Sequence, residues 1–161
     1  MRPRRYQSPE KVSDAALRPG QASSTCRIRE DGRVQISKVH HIAVIATDYA
    51  RSKAFYTDVL GFELLSEVYR AERDSWMGKI AIAGEYIIEL FSFPSPPPRV
   101  TGPEASGLRH LAFAVPDVGA ALAELDARGV RHEELRVDPH TGKRMAFFFD
   151  PDELPLELYE E

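Results

Sequence analysis

The chain states one pattern twice. His41-Ile-Ala-Val-Ile-Ala-Thr-Asp48 is matched by His110-Leu-Ala-Phe-Ala-Val-Pro-Asp117, and each Asp is followed by a helical stretch that stops at a glycine, Gly61 or Gly129. Each copy then ends in an apolar run holding one carboxylate: Ile87-Ile88-Glu89-Leu90-Phe91 and Leu154-Pro155-Leu156-Glu157-Leu158-Tyr159. The His-to-Glu separation is 48 residues in the first copy and 47 in the second. His41 is thereby equivalent to His110, and Glu89 to Glu157. Such self-similarity restricts the fold to a repeated supersecondary unit, and neither copy alone is long enough to bury a core.

Each copy reads strand, helix, strand, strand, strand, an α+β pattern. In the first, residues 39–46 alternate and are rich in β-branched side chains. Asp48 is placed to cap a helix from Tyr49 to Leu60, whose Ala50, Ala54, Phe55 and Val59 recur at helical spacing, and Gly61 ends it. Strands are expected near 62–70, 76–83 and 85–93, with Gly84-Glu85 as a tight turn. The second copy gives strand 108–115, helix 117–128 capped by Asp117, and strands near 130–137, 144–149 and 154–159. Asp138-Pro-His-Thr-Gly142 and Asp150-Pro-Asp152 are read as turns. The modules span 38–94 and 107–160, joined by a stiff connector that begins Pro94-Ser-Pro-Pro-Pro98 and runs through Pro103. Residues 1–36 are polar, punctuated by Pro3, Pro9, Pro19 and Gly20, and show no sustained period. They are read as a disordered extension to a domain at 37–161.

Side chains alternate faces along a strand. Leu111, Phe113 and Val115 share a greasy face that should receive the helix, whereas His110 shares the other with Ala112 and Ala114. Leu156 and Leu158 take the helix side and leave Glu157 on the open side. By the same alternation Glu89 lies with Ile87, Phe91 and Phe93, and His41 with Ala43 and Ile45, while His40 should point the other way. A carboxylate flanked by apolar residues costs much to bury unpaired, and a divalent cation offsets that cost. Two imidazoles and two carboxylates at matched points therefore compose a candidate metal site of His41, Glu89, His110 and Glu157. His132 and His140 lie in polar stretches without counterparts in the first copy.

At 161 residues, 43% hydrophobic and 29% charged, the composition is that of a soluble globular chain. No apolar stretch approaches the roughly 20 residues that span a bilayer, so no membrane partner is expected. The start lacks the apolar centre of a signal peptide. The lone cysteine, Cys26, leaves no intrachain disulfide and suggests a cytoplasmic setting. Residues 1–36 hold eight Lys and Arg against four Asp and Glu, and the remainder 13 against 21. An acidic body argues against nucleic acid as a partner.

The stretches HHIAVIATDYARSKAFYTDVLGF, IIELFSF, GLRHLAFAV and FFFDPDELPLELYE resemble the vicinal oxygen chelate superfamily over about residues 38–160. Within it the chain is most similar to the glyoxalase I type, the lactoylglutathione lyase/bleomycin resistance family. The resemblance implies two βαβββ modules forming a cupped mixed sheet around a metal, with His41, Glu89, His110 and Glu157 as ligands. It implies one divalent cation per site, with nickel or cobalt favoured by so compact a form and zinc or manganese as alternatives. It makes Glu157 the base and Glu89 its pseudosymmetric partner, and it implies a homodimer whose sites lie between chains. The reaction would isomerise the hemithioacetal of a small 2-oxoaldehyde to a 2-hydroxyacyl thioester, with glutathione or another thiol as co-substrate. A basic residue that precedes the final strands in glyoxalase I is matched by Lys143. Ile45 and Phe93, however, stand where that enzyme often carries an Arg and an Asn. Arg70, Arg73, Trp76, Phe91 and Phe93 are further candidates to line a substrate.

Other members of the superfamily set the competing expectations. An acyl-CoA epimerase typically has Gln where Glu89 stands. A ring-cleaving dioxygenase uses two His and one Glu with ferrous iron, and a thiol transferase of fosfomycin resistance uses three ligands. A non-catalytic binding or resistance module normally lacks the metal set.

Overall fold

A computed structural model describes residues 33–161, so the extension over residues 1–32, with Cys26, lies outside the described residues. Residues Val39–Glu161 form one unit. Its elements run β1 (Ile42–Ala46), α1 (Tyr49–Ala54), β2 (Glu63–Arg70), β3 (Ser75–Ile82), β4 (Glu85–Ser92), β5 (Leu111–Val115), α2 (Val118–Ala127), β6 (Arg136–Val137), β7 (Arg144–Phe149) and β8 (Pro155–Glu160). The duplication is expressed in topology. Two four-stranded mixed sheets have the orders β1-β4-β3-β2 and β5-β8-β7-β6, each pairing its first and last strands in parallel.

Local chemistry explains the helices. Asp48 accepts from the backbone N–H of Arg51 at 3.1 Å and Asp117 from that of Ala120 at 2.9 Å, so each helix opens on a side-chain cap. Gly61 and Gly129 follow the two helical segments with φ of +72° and +68°, a conformation that favours glycine. The expected helix over 49–60 is interrupted. After Ala54 it widens into a π-turn over Phe55–Val59, where the N–H of Leu60 donates to the carbonyl of Phe55 at 3.0 Å. The β3–β4 turn is centred on Ala83 and Gly84, whose φ values of 51° and 81° give the mirror-image turn that hairpins favour; the turn expected at Gly84-Glu85 is thus one residue out. The strand expected over 130–137 shortens to Arg136–Val137, preceded by a single bridge from His132 to Phe148.

Both modules turn their helix sides into one core. Phe55, Tyr56, Ile88 and Leu90 of the first join Val118, Leu122, Phe148 and Leu156 of the second, and the Phe62 ring meets Phe113 at 5.4 Å. A polar clasp crosses the same boundary. The Tyr56 hydroxyl donates to buried Asp150 at 3.0 Å, and that carboxylate also accepts from the N–H groups of Asp152 and Leu154 at 2.9 and 2.8 Å. Burial pushes the Asp150 carboxyl above its ordinary range. Asp152 accepts from the Thr47 N–H at 2.9 Å and from Arg51 at 3.2 Å. Removing one partner of a buried network strands the others, which costs about 1–3 kcal/mol per group. Urea unfolding of the full chain is therefore expected to show Tyr56→Phe destabilised by about 1–2 kcal/mol and Asp150→Ala by about 3 kcal/mol or more. Equal and negligible losses would mean that the clasp does not tie the modules together.

Candidate metal centre

The parallel pairing of first and last strands places the two His/Glu pairs. Ala43 is in register with Glu89, and Ala112 with Glu157. His41 and His110 each lie two residues before that alanine, on the same open side. His41 Nε2 lies 3.4 Å from Glu89 Oε2, and His110 Nε2 lies 3.0 Å from Glu157 Oε2. Each module thus brings the same two atoms, a His Nε2 and a Glu Oε2, together on its open side. The sheet sides expected to receive the helices do so: Leu111, Phe113 and Val115 pack on the core, and Ala112 and Ala114 are exposed.

Two ligands bound side by side at about 2.1 Å from an octahedral cation sit roughly 3 Å apart, so both N···O separations suit neighbouring positions on one ion. The donors, neutral imidazole and carboxylate, suit a divalent metal. Within one chain the pairs remain apart. Among the described residues no group of three or more His, Cys, Asp or Glu converges to hold a metal. The core explains this, because both helix sides face it and both open sides face away from it.

The surroundings of the two pairs differ. Glu157 is the more buried, with 9% of its side chain exposed against 16% for Glu89. Its cross-strand neighbour is Phe147, whereas that of Glu89 is Lys79. One residue the sequence did not single out, Tyr86, joins the first pair. The register jumps from Ile80↔Ile88 to Ala81↔Tyr86, leaving Ile87 as the extra residue of a bulge. The bulge turns Tyr86 to the open side, where its ring stacks on His41 at 5.3 Å. Burial, and then the Glu89 carboxylate, push the Tyr86 phenol up to about 12. Strict alternation conceals Tyr86, and no local sequence signal marks the bulge.

His40 also departs from expectation. Its ring meets both His41 and Tyr86, and its Nδ1 lies 2.8 Å from His41 Nδ1, because it precedes β1 and no ladder bond holds it to the opposite side. It can accept the His41 Nδ1 proton, which would leave His41 Nε2 with its lone pair toward Glu89.

The candidate substrate residues divide by location. Arg70 lies over the Phe91 ring at 4.9 Å and near Phe93 at 5.8 Å, and donates to Ser75 Oγ at 2.7 Å. Those three share the open side with Glu89. Trp76 does not. It stacks on Tyr49 of α1 at 5.5 Å, since it alternates with Met77 and Ser75 and so falls on the helix side. Arg73 is exposed on the short turn between β2 and β3, and Lys143 is exposed in the loop before β7. His132 is structural, held by Glu133 O at 2.8 Å and Asp126 Oδ1 at 2.9 Å. No helix among the described residues is long and apolar enough to cross a membrane.

Residues 38–158 match the family described as the Glyoxalase/Bleomycin resistance protein/Dioxygenase superfamily. The chain is 64% identical over 126 residues to the uncharacterized protein YaeR of Escherichia coli (strain K12), covering 78% of this chain and 98% of that protein. A glyoxalase family protein from Enterococcus faecalis, solved by crystallography, superposes with a TM-score of 0.72 at 45% identity over 76% of this chain and 97% of that one. More distant similarity, 30% and 26% identity over 74% and 77% of this chain, reaches a 2-epi-5-epi-valiolone epimerase of Actinomyces sp. and a lactoylglutathione lyase of Schizosaccharomyces pombe (strain 972 / ATCC 24843). These alignments span 77% and 47% of those two proteins.

Proposed function

The chain belongs to the Glyoxalase/Bleomycin resistance protein/Dioxygenase superfamily, and from that premise we propose that it is a metal-dependent, glyoxalase I-like isomerase of a hemithioacetal, working as a homodimer. The observation that carries the reading is the pairing of the same atoms, His Nε2 with Glu Oε2, in both half-sites, His41–Glu89 and His110–Glu157, each on a sheet side turned away from its own core. A second copy of the chain would bring the first pair of one protomer against the second pair of the other. The open side of module one favours such a contact. Val68, Met77, Phe91 and Ile45 are in register across all four of its strands, and Val68 and Ile45 are about half exposed.

A divalent cation held by these four side chains, nickel or cobalt by preference, would polarise two adjacent substrate oxygens and acidify the neighbouring C–H bond. Glu157 would accept that proton and return it to the adjacent carbon, shielded by Phe147 and its buried strand neighbours. His110 orients the Glu157 carboxylate, and Tyr86 and His40 hold the His41 ring. Glu89 would complete the donor set.

The test is direct. Full-length protein supplied with nickel is expected to bind about one ion per chain and to convert methylglyoxal and glutathione to a thioester. A fully metallated protein that forms no thioester would overturn the glyoxalase assignment. A second reading, epimerisation next to a carbonyl, uses the same proton transfer and is favoured by the similarity to the Actinomyces enzyme. Exchange of solvent deuterium into a 2-oxo substrate without thioester formation would select it.

A further inference from the structure

The helix side of module one carries a groove of about 550 Å³ beside the start of α1. Three aromatic rings line it. Tyr49 of α1 stacks on Trp76 of β3 with 5.5 Å between centroids, and Tyr69 of β2 meets the same indole at 5.3 Å, inclined by 52°. Gly78 makes room for this arrangement, because a Cβ there would collide with the Tyr49 hydroxyl. Tyr69 and Trp76 are cross-strand partners and so share a side, yet they stay 46% and 38% exposed. Both phenols donate to carboxylates, Tyr69 to Asp74 Oδ1 at 2.5 Å and Tyr49 to Glu67 Oε2 at 3.2 Å. Asp48, the cap of α1, is a third carboxylate on the groove. Lys53 is the cation among the lining residues. It pairs with Glu67 at 2.9 Å and lies over the Tyr49 ring at 5.7 Å. Acidic groups of the groove therefore exceed basic ones by two, three against one.

The duplication shows what the same place holds in module two. Lys79 pairs with Glu89 as Phe147 pairs with Glu157, so Trp76 corresponds to Arg144, Ser92 to Glu160 and Tyr69 to Val137. Matching hydrogen bonds support the correspondence. The Trp76 N–H donates to Ser92 Oγ at 3.1 Å, and the Arg144 N–H to Glu160 Oε2 at 3.2 Å. In module two the Arg144 guanidinium sits beside the helix cap, 3.4 Å from Asp117, while its Nε donates to Glu160 at 2.7 Å. Module two thus fills this place with a cation of its own. In module one the cap carboxylate persists as Asp48, but an indole replaces the guanidinium, and two phenols and two further carboxylates surround it.

We propose that this groove binds an organic cation from solution, a quaternary ammonium compound that carries no phosphate. Aromatic faces attract a cation through the ring quadrupole, and quaternary ammonium groups are the ligands that such clusters of rings recognise. Lys53 over Tyr49 already uses one of these faces in that way. The surplus of carboxylates draws the cation in and repels a phosphate joined to it. The groove lies on the opposite side of the sheet from Glu89, and its assignment does not rest on the functional reading above.

Choline is the probe, and Trp76, the single tryptophan of the chain, reports on it. Full-length protein is titrated with choline chloride, and separately with sodium chloride, while tryptophan fluorescence and calorimetry are followed. A saturable response is expected with choline and none with sodium. Neohexyl alcohol, the uncharged analogue with carbon in place of nitrogen, should bind about tenfold more weakly. Phosphocholine should bind severalfold more weakly than choline. Tyr69 lies on the edge strand β2, so Tyr69→Leu should fold, as circular dichroism would verify, and should weaken choline binding about fivefold. Tyr69→Phe keeps the ring and should bind nearly as the unaltered protein does. Asp74→Asn should weaken binding severalfold without strain, because asparagine suits the left-handed backbone at that position, φ 46°. Lys53→Gln removes the competing charge and should tighten binding severalfold. Arg136→Gln, in module two, should change nothing. Absence of saturable choline binding, equal binding of neohexyl alcohol, tighter binding of phosphocholine, or indifference of the folded protein to Tyr69→Leu would overturn the proposal.

Discussion

Glu157→Gln is expected to lower turnover by about 10²–10⁴-fold, the range lost when a positioned general base is removed. The substitution is close to isosteric. Glu157 lies between Leu156 and Leu158 in β8, in register with Ala112, and glutamine fits that slot without opening a cavity. Its amide can still reach His110 Nε2, which lies 3.0 Å from Glu157 Oε2, so stability should change by less than about 1 kcal/mol. What it cannot do is accept and return a proton. Nickel content measured on the same sample separates loss of the base from loss of the metal. Glu89→Gln should cost less, because Glu89 faces Lys79 across the strands and in the proposed centre is a donor rather than the base. A metallated Glu157→Gln protein at full rate would remove the assigned base.

Mixing His41→Ala with His110→Ala protein, each inactive alone, is expected to restore about a quarter of the wild-type activity. The fraction follows from two-fold symmetry. Half of randomly reassembled dimers are mixed, and in each of these one site receives both defects while the other receives neither. Mixing His41→Ala with Glu89→Ala should restore nothing, because both changes fall in the same half-site and each site of the mixed dimer then carries one of them. The geometry behind this is the separation of the pairs within one chain. The helix sides of both modules are committed to a shared core, the Tyr56–Asp150 bond ties them there, and the open sides turn outward. Recovery in the second mixture, or none in the first, would exclude a site built from one pair of each protomer.

Much of the architecture was legible because it depends on short-range rules. Asp48 and Asp117 cap helices wherever the following residues can turn, and Gly61 and Gly129 end them because their backbones enter the left-handed region. Alternation sorts Leu156 and Leu158 from Glu157, and the duplication by itself pairs each His with its Glu. Trp76 shows the limit of reading residue types without their register. An aromatic side chain near the site in sequence fell on the helix side, against Tyr49, because its parity differs from that of Lys79.

By itself the sequence determined the repeated module, its caps and the identity of the four paired ligand candidates, since periodicity and duplication are written locally along the chain. Only the tertiary structure decided that the pairs do not meet within one chain, that a bulge at Ile87 turns Tyr86 onto His41, and that Tyr49, Tyr69 and Trp76 line one groove. These depend on how two surfaces share one core and on where a ladder gains a residue. Both are set by packing between segments far apart in the chain, and no local pattern encodes them.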